Sequence, residues 1–587
     1  MTEKENYKLV NIQKKELKLR AVRHEILVSD SEKALELILD APSPATMVQS
    51  FPDQDLYYLM HKIGPSDFIP VLSMATSEQW EYILDVEAWD NDRLDLEYMT
   101  KTFDLLFQAD PKRLLRWVIK EKPDFFEFYL FKNMDICVRE HDDPTPDDFD
   151  DYITLDDKFY FRFPNKPQPS DEDTDKTPDD DSPKPEDKQD AWELIEKMVR
   201  TVADMDLSVF HGLLLETRSV LPAEVEEEQF RLKTIRLAEK GFLPTHEAIG
   251  IYQPTRLSSL RKRPDNSLFR QEPFDPEIPL PPQFFSAFIE GDDLFVTSLK
   301  FFDSTVILHL ESELAALINK IISADKVKIQ SRDILGKVIK KACAYLNLGL
   351  EVILKGNCKP ELAKEVIQEY FLEDIFRTGS RAGITLKTKA LNWFKQSFAN
   401  KNHLPLSFFG ENYLGIIGGL FLERPLYYDN YASGKEVYRN FSSLSDIFQT
   451  SRTLEQVIAL DTMLDKLTVD ITSFKEGILT YKTLILTLWT KDRLNLEPTL
   501  KPINTTTFKE FFIALFSSTD TGKTGQIQLN DLITWTAEAT GINESNLTKE
   551  FLEVLTDLIK ELEEEYSAVS PKNIDPRFIP HFLLKDG

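Results

Sequence analysis

The chain has 587 residues, 42% hydrophobic and 11% aromatic, with 70 Lys and Arg against 99 Asp and Glu, a net charge of −29. That length exceeds one hydrophobic core and implies two to four domains of ~150 residues, and the apolar content excludes wholesale disorder. A negative field of this size opposes binding to nucleic acid and to anionic lipid.

Cys137, Cys343 and Cys358 are too few and too scattered for a disulfide framework or a zinc site, and are expected as buried thiols in a reducing compartment. The N-terminal MTEKENYKLV lacks the apolar stretch of a secretory signal. The longest near-continuous apolar run, Tyr413–Leu422, falls well short of the ~20 residues of a membrane span. A cytoplasmic protein without membrane insertion is expected.

In chain order, residues 1–28 read as a partly ordered tail and 29–140 as a helical-repeat domain. Its phrases are short: a cap, an apolar stripe, then a stop. Leu56, Leu59, Met60 and Ile63 share one helix face, and Gly64-Pro65 ends it. Ser66 is expected to cap the next helix. Thr76 and Gln79 form a capping-box pattern, and Asp110-Pro111 an N-cap with proline at N1. Units of this length cannot bury their own apolar faces, so they are expected to stack.

Residues 141–163 include an alternating, hairpin-like piece, Tyr152–Phe163, turned at Asp156-Asp157. From 164 to 190 there are six prolines, ten acids and no aromatic residue, the composition of a disordered linker. Residues 191–500 read as a helical domain with a Pro-rich connector near 254–283, and with short extended pieces at Asp293–Phe302 and Thr305–Leu310. Residues 501–587 read as a C-terminal helical hairpin region. The fold class expected is mainly α: a stacked helical-repeat N-terminal block, an acidic linker, and a second mostly helical block with minor β.

Two sets of residues carry candidate chemistry. Asp520–Asp531 aligns as a calcium loop with Asp520, Thr524 and Asp531 as oxygen donors and Gly525 at the turn, but Gly522 offers no ligand where one is needed. A phosphate loop over Ser517–Thr524 lacks its first glycine, and His246-Glu247 has no second histidine to make a zinc helix. The second set is basic: Arg256, Arg261, Lys262 and Arg263 could dock an anion or an acidic partner, or neutralise an acidic face of the chain itself. No cofactor motif is recognised. The remaining histidines, His581 among them, are too far apart in sequence to be assigned partners.

Val220–Pro254, Asp55–Asp95 and Glu423–Ile447 together resemble a family of bacterial proteins of about this length, catalogued as a domain of unknown function. The resemblance covers most of the chain and implies no catalytic residue. The cadence of residues 52–140 is also similar to the helical repeats in the cytoplasmic domain of MgtE-type magnesium transporters, which implies a superhelical stack. The function expected is a helical scaffold or adaptor for a protein partner, with aromatics of the Phe125–Phe131 helix as exposed anchors. The alternative is an enzyme whose site is assembled between the blocks from residues that form no motif.

Overall fold

Apolar residues recur at helical spacing between caps and stops, and helices accordingly dominate the structure. The computed structural model describes residues 18–90, 92–139, 152–164, 185–264, 281–289, 291–328, 331–434, 436–467, 469, 471, 474, 479–516 and 524–585. The fold is mainly α with a few short strands. Two compact units are present. The first draws its described residues from Met1–Ile251, Arg261–Ala342 and Ile367–Glu373, the second from Tyr252–Leu260, Cys343–Val366 and Asp374–Gly587.

The first unit opens with α1 (residues 18–28), within the stretch read as a tail. Short helices follow: α2 (Ser31–Leu39), α3 (Pro44–Gln49), α4 (Asp53–Ile63), α5 (Ile69–Met74) and α6 (Ser77–Glu87). Strands β1 (Trp89–Asp90) and β2 (Arg93–Leu94) pair antiparallel before α7 (Leu96–Ala109), α8 (Pro111–Glu121) and α9 (Pro123–Asn133). Gly64 ends α4 at φ +114°, a conformation that favours glycine. Thr76 and Gln79 close the reciprocal capping box of α6. The Asp110 side chain accepts from Arg113 N ahead of Pro111. Helix α5 starts at Ile69 rather than after Ser66, with Pro70 in its first turn, where a missing N–H costs nothing.

β3 (Asp135–Val138), β4 (Ile153–Thr154) and β5 (Phe159–Arg162) form an antiparallel sheet in the order β3-β5-β4, and Asp157 between β4 and β5 has φ +55°. Most of the proline-rich acidic stretch lies outside the described residues. Its last residues instead open α10 (Pro185–Met205), where a starting proline and the acids behind it suit a helix N-terminus. Then come α11 (Leu207–Arg218), α12 (Pro222–Glu239) and α13 (Thr245–Ala248). Gly241 at φ +88° lets Phe242 N donate to Leu237 O and close the end of α12.

Burial overturns the expected anchors. Phe125, Phe126, Phe128 and Tyr129 of α9 are all buried, and Phe131 is the ring left exposed. The helix is apolar on most sides and packs against α8, α10, α11 and α12, so its rings belong to the core. The extended pieces are overturned as well, being α14 (Leu294–Leu299) and α15 (Ser304–Ala324). Asp303 caps α15 by accepting from Val306 N, and Leu310, Leu314, Leu317, Ile318 and Ile321 sink into the core at helical spacing. Tertiary packing here outweighs the strand preference of β-branched and aromatic residues.

Further along lie α16 (Arg332–Ile353), α17 (Pro360–Glu369) and α18 (Leu372–Phe394). In the second unit, α19 (Phe398–Lys401) and α20 (Glu411–Phe421) precede the antiparallel pair β6 (Tyr427–Tyr428) and β7 (Tyr438–Arg439). Gly415 and Gly419 of α20 leave room for the rings of Tyr428 and Tyr438. The unit continues with α21 (Leu444–Leu464), α22 (Tyr481–Arg493), β8 (Ile503–Asn504), α23 (Thr505–Phe516), α24 (Thr524–Thr540) and α25 (Lys549–Tyr566). The chain closes with β9 (Leu584–Lys585), paired parallel to β8. Trp489, Phe508, Phe512, Phe551, Leu555 and Phe582 are among its core residues. Of the three cysteines only Cys343 is buried; Cys137 is half-buried and Cys358 exposed, beside the turn that precedes α17. No helix among the described residues is long and apolar enough to cross a membrane.

Candidate functional site

Helix α25 gathers more chemistry than any stretch singled out from the sequence. Thr548 caps it, and Phe551, Leu555, Leu558, Leu562 and Tyr566 form the stripe that it buries. Elsewhere around the helix stand Glu553, Asp557, Glu561 and Glu565, four acids at spacing four. Like charges at that spacing each cost a helix ~0.2–0.5 kcal/mol. Partners from other elements offset part of this. Arg452 and Gln456 of α21 each reach Glu553 at 3.0 Å. Lys482 of α22 donates to both oxygens of Glu561. His581 Nε2 lies 3.0 Å from Glu561 Oε1. Asp557 is exposed and has no ion pair among the described residues.

Of these side chains Gln456, Lys482, Asp557, Glu561 and His581 line a cleft of ≈ 700 Å³, together with Tyr413 and Tyr481. The rings of Tyr413 and Tyr481 lie 5.8 Å apart, centroid to centroid. Burial pushes both phenol pKa values up, and the carboxylates of Asp557 and Glu561 push them further. Glu561 is held down to about 2, first by the hydrogen bond from His581 and then, against its own burial, by Lys482. On its other side the His581 ring shares a hydrogen bond of 2.5 Å between Nδ1 and the buried Tyr566 hydroxyl, with Glu565 Oε2 at 3.5 Å. The result is a chain Tyr566–His581–Glu561–Lys482 on a cleft that carries more acid than base.

The residues expected from sequence lie elsewhere. Asp520 is outside the described residues. Thr524 opens α24, and Asp531 lies inside that helix, its Oδ2 accepting from Trp489 Nε1 at 3.0 Å and Arg493 Nε at 2.9 Å. In the first unit Arg263 is buried, paired with Glu313 and bonded at 3.1 Å to the carbonyls of Ile367 and Tyr370. Lys262 meets Glu369 at 2.5 Å and Arg261 meets Glu373 at 3.5 Å, so these three cations face acids of their own unit. Arg256 is exposed in the second unit, and His246 is exposed in the first turn of α13. His581 and its partners form no motif. The legible signal was the acid at every fourth position from Glu553 to Glu565, a pattern unfavourable to a helix unless something faces it.

A mainly helical protein with a carboxylate-rich, tyrosine-walled cleft in its second unit is the class that these features define. The chain belongs to a family of unknown function, DUF6178, whose model matches residues 11–585. No curated protein and no solved structure matches it. The likeness of residues 52–140 to MgtE-type repeats is not shown by these matches.

Proposed function

We propose that this is a cytoplasmic helical adaptor, and that a Lys or Arg side chain of its protein partner enters the cleft of the second unit. The observation that carries the reading is Asp557: an exposed carboxylate without an ion pair among the described residues, which lines the same cleft as Tyr413 and Tyr481 and raises the pKa of both phenols. A carboxylate beside aromatic faces suits an ammonium or guanidinium group, which gains both an ion pair and a cation–π contact. The net charge of −29 would steer a basic partner toward the protein at long range.

Fluorescence anisotropy with labelled Lys- and Arg-containing peptides tests this. Binding should saturate and fall ~10-fold or more in Asp557→Asn, as for a charge-assisted contact worth ~1.5–3 kcal/mol. Equal binding of the two proteins would remove the cleft from the reading. The alternative, an enzyme, draws on the Tyr566–His581–Glu561 chain, in which a carboxylate orients an imidazole as in general-base sites. A substrate for such a site would have to displace the Lys482 contact, and turnover that survives His581→Gln would end that reading.

A further inference from the structure

The geometry points to a divalent transition-metal site formed by Glu561, Glu565 and His581, for which Lys482 is the competing resident cation. It is independent of whatever enters the cleft at Asp557. Glu561 and Glu565 stand one helical turn apart on α25, and the segment after Pro580 brings His581 against both. One donor atom from each of the three lies within 4.8 Å of the others. A tetrahedral zinc ion with bonds of about 2.0–2.2 Å sets its donor atoms ~3.4 Å apart. His581 Nε2 and Glu561 Oε1 are 3.0 Å apart, whereas Glu565 Oε2 lies 3.5 Å from the other ring nitrogen, Nδ1, so side-chain rotations of Glu565 must carry its carboxylate round to Nε2. Glu565 is exposed and free to make them.

The surroundings fit a metal-bound imidazole. Nδ1 is tied to the Tyr566 hydroxyl, the kind of outer hydrogen bond that fixes ring orientation when the other nitrogen coordinates. Nε2, facing Glu561 at the cleft, is then the coordinating nitrogen. One imidazole and two carboxylates are a borderline donor set that suits zinc, cobalt or nickel better than calcium, which prefers oxygen alone. An open fourth position would face the cleft.

Lys482 sets the condition for occupancy. Its ammonium bonds both oxygens of Glu561, so an incoming ion must displace it, and the cleft that it lines gives it room to withdraw. A doubly charged ion gains more from two carboxylates than a single ammonium does.

The full chain, stripped of metal and titrated with Zn²⁺ by calorimetry and with Co²⁺ by visible absorption, tests the site. One ion should bind, and tetrahedral Co²⁺ bands should appear. Glu565→Gln should weaken binding ~10–100-fold, and His581→Ala more, while Lys482→Met should tighten it ~10-fold by removing the competitor. Glu565 is exposed, so its variant keeps the test sound if His581→Ala loosens the C-terminal segment. Absence of saturable uptake in the unmodified protein, or equal uptake by Glu565→Gln, would overturn the assignment. Weaker binding in Lys482→Met would overturn the role of the lysine as competitor.

Discussion

Asp55 shows how far one buried group can set the pH response of a domain. It is fully buried in α4, and Gln283 N and Phe284 N donate to its carboxylate at 2.8 and 2.7 Å. Those bonds favour the ionised form, yet burial outweighs them and pushes the pKa from 3.8 up to about 7. A group raised in this way binds a proton on folding. Its contribution is fully present below the ordinary carboxylate range and is lost as pH rises through about 7. At ~1.4 kcal/mol per unit, the loss amounts to at most about 4 kcal/mol. Asp55→Asn cannot ionise and keeps an oxygen to accept both bonds. Between about pH 5 and pH 8 the urea midpoint of the parent should fall relative to that of the variant. Parallel curves would show that Asp55 ionises as easily in the fold as in water.

At the scale of elements, two helices meet through glycines. A Cβ on Gly349 of α16 would lie 2.0 Å from Ile375 O, and one on Gly379 of α18 would lie 2.1 Å from Tyr345 O. Both obstacles are backbone atoms and cannot rotate away. Gly349→Ala and Gly379→Ala should each destabilise by ~1–3 kcal/mol or more, read from denaturant midpoints. Gly212 of α11 has nothing among the described residues within 4 Å of an added Cβ. There alanine should instead stabilise by roughly 0.5–1 kcal/mol, by restricting the unfolded chain and favouring the helix. The acids of α25 give a second contrast. Asp557→Asn relieves repulsion from Glu553 and Glu561 and should raise stability by several tenths of a kcal/mol, ~0.2–0.5 per pair. The same change should weaken binding of basic peptide. A residue that lowers stability while it serves binding is expected at a functional surface; loss of both properties in this variant would make Asp557 structural.

For the whole molecule, charge acts beyond any one site. A net −29 gives long-range attraction for basic partners that is screened once the Debye length falls to ~10 Å near 0.1 M salt. Association rates with a basic peptide, followed by stopped flow, should drop ~10-fold or more from low to moderate salt. Asp557→Asn removes one charge of many, so it should shorten the bound lifetime and leave most of that salt dependence intact. A salt dependence abolished by this single change would place the attraction in the cleft rather than in the overall field.

The sequence by itself determined the helical character, because periodicity and capping act within a few residues. Thr76 and Gln79, Asp110 and Pro111, and Gly241 with Phe242 were all readable as helix ends, and all serve as such. Where a local signal was ambiguous, packing decided. The rings of α9 read as exposed anchors but four of them lie in the core, and the short extended pieces expected at Asp293–Phe302 and Thr305–Leu310 are taken up largely by α14 and α15. The basic strip likewise took its pairing from Glu313, Glu369 and Glu373, distant in sequence. The cleft belongs wholly to tertiary structure. Lys482, Glu561 and His581 come from three separate segments, and chemistry that depends on distances of about 3 Å between them leaves no mark on residue order. Local rules fix which helix forms; only the folded chain fixes what faces it.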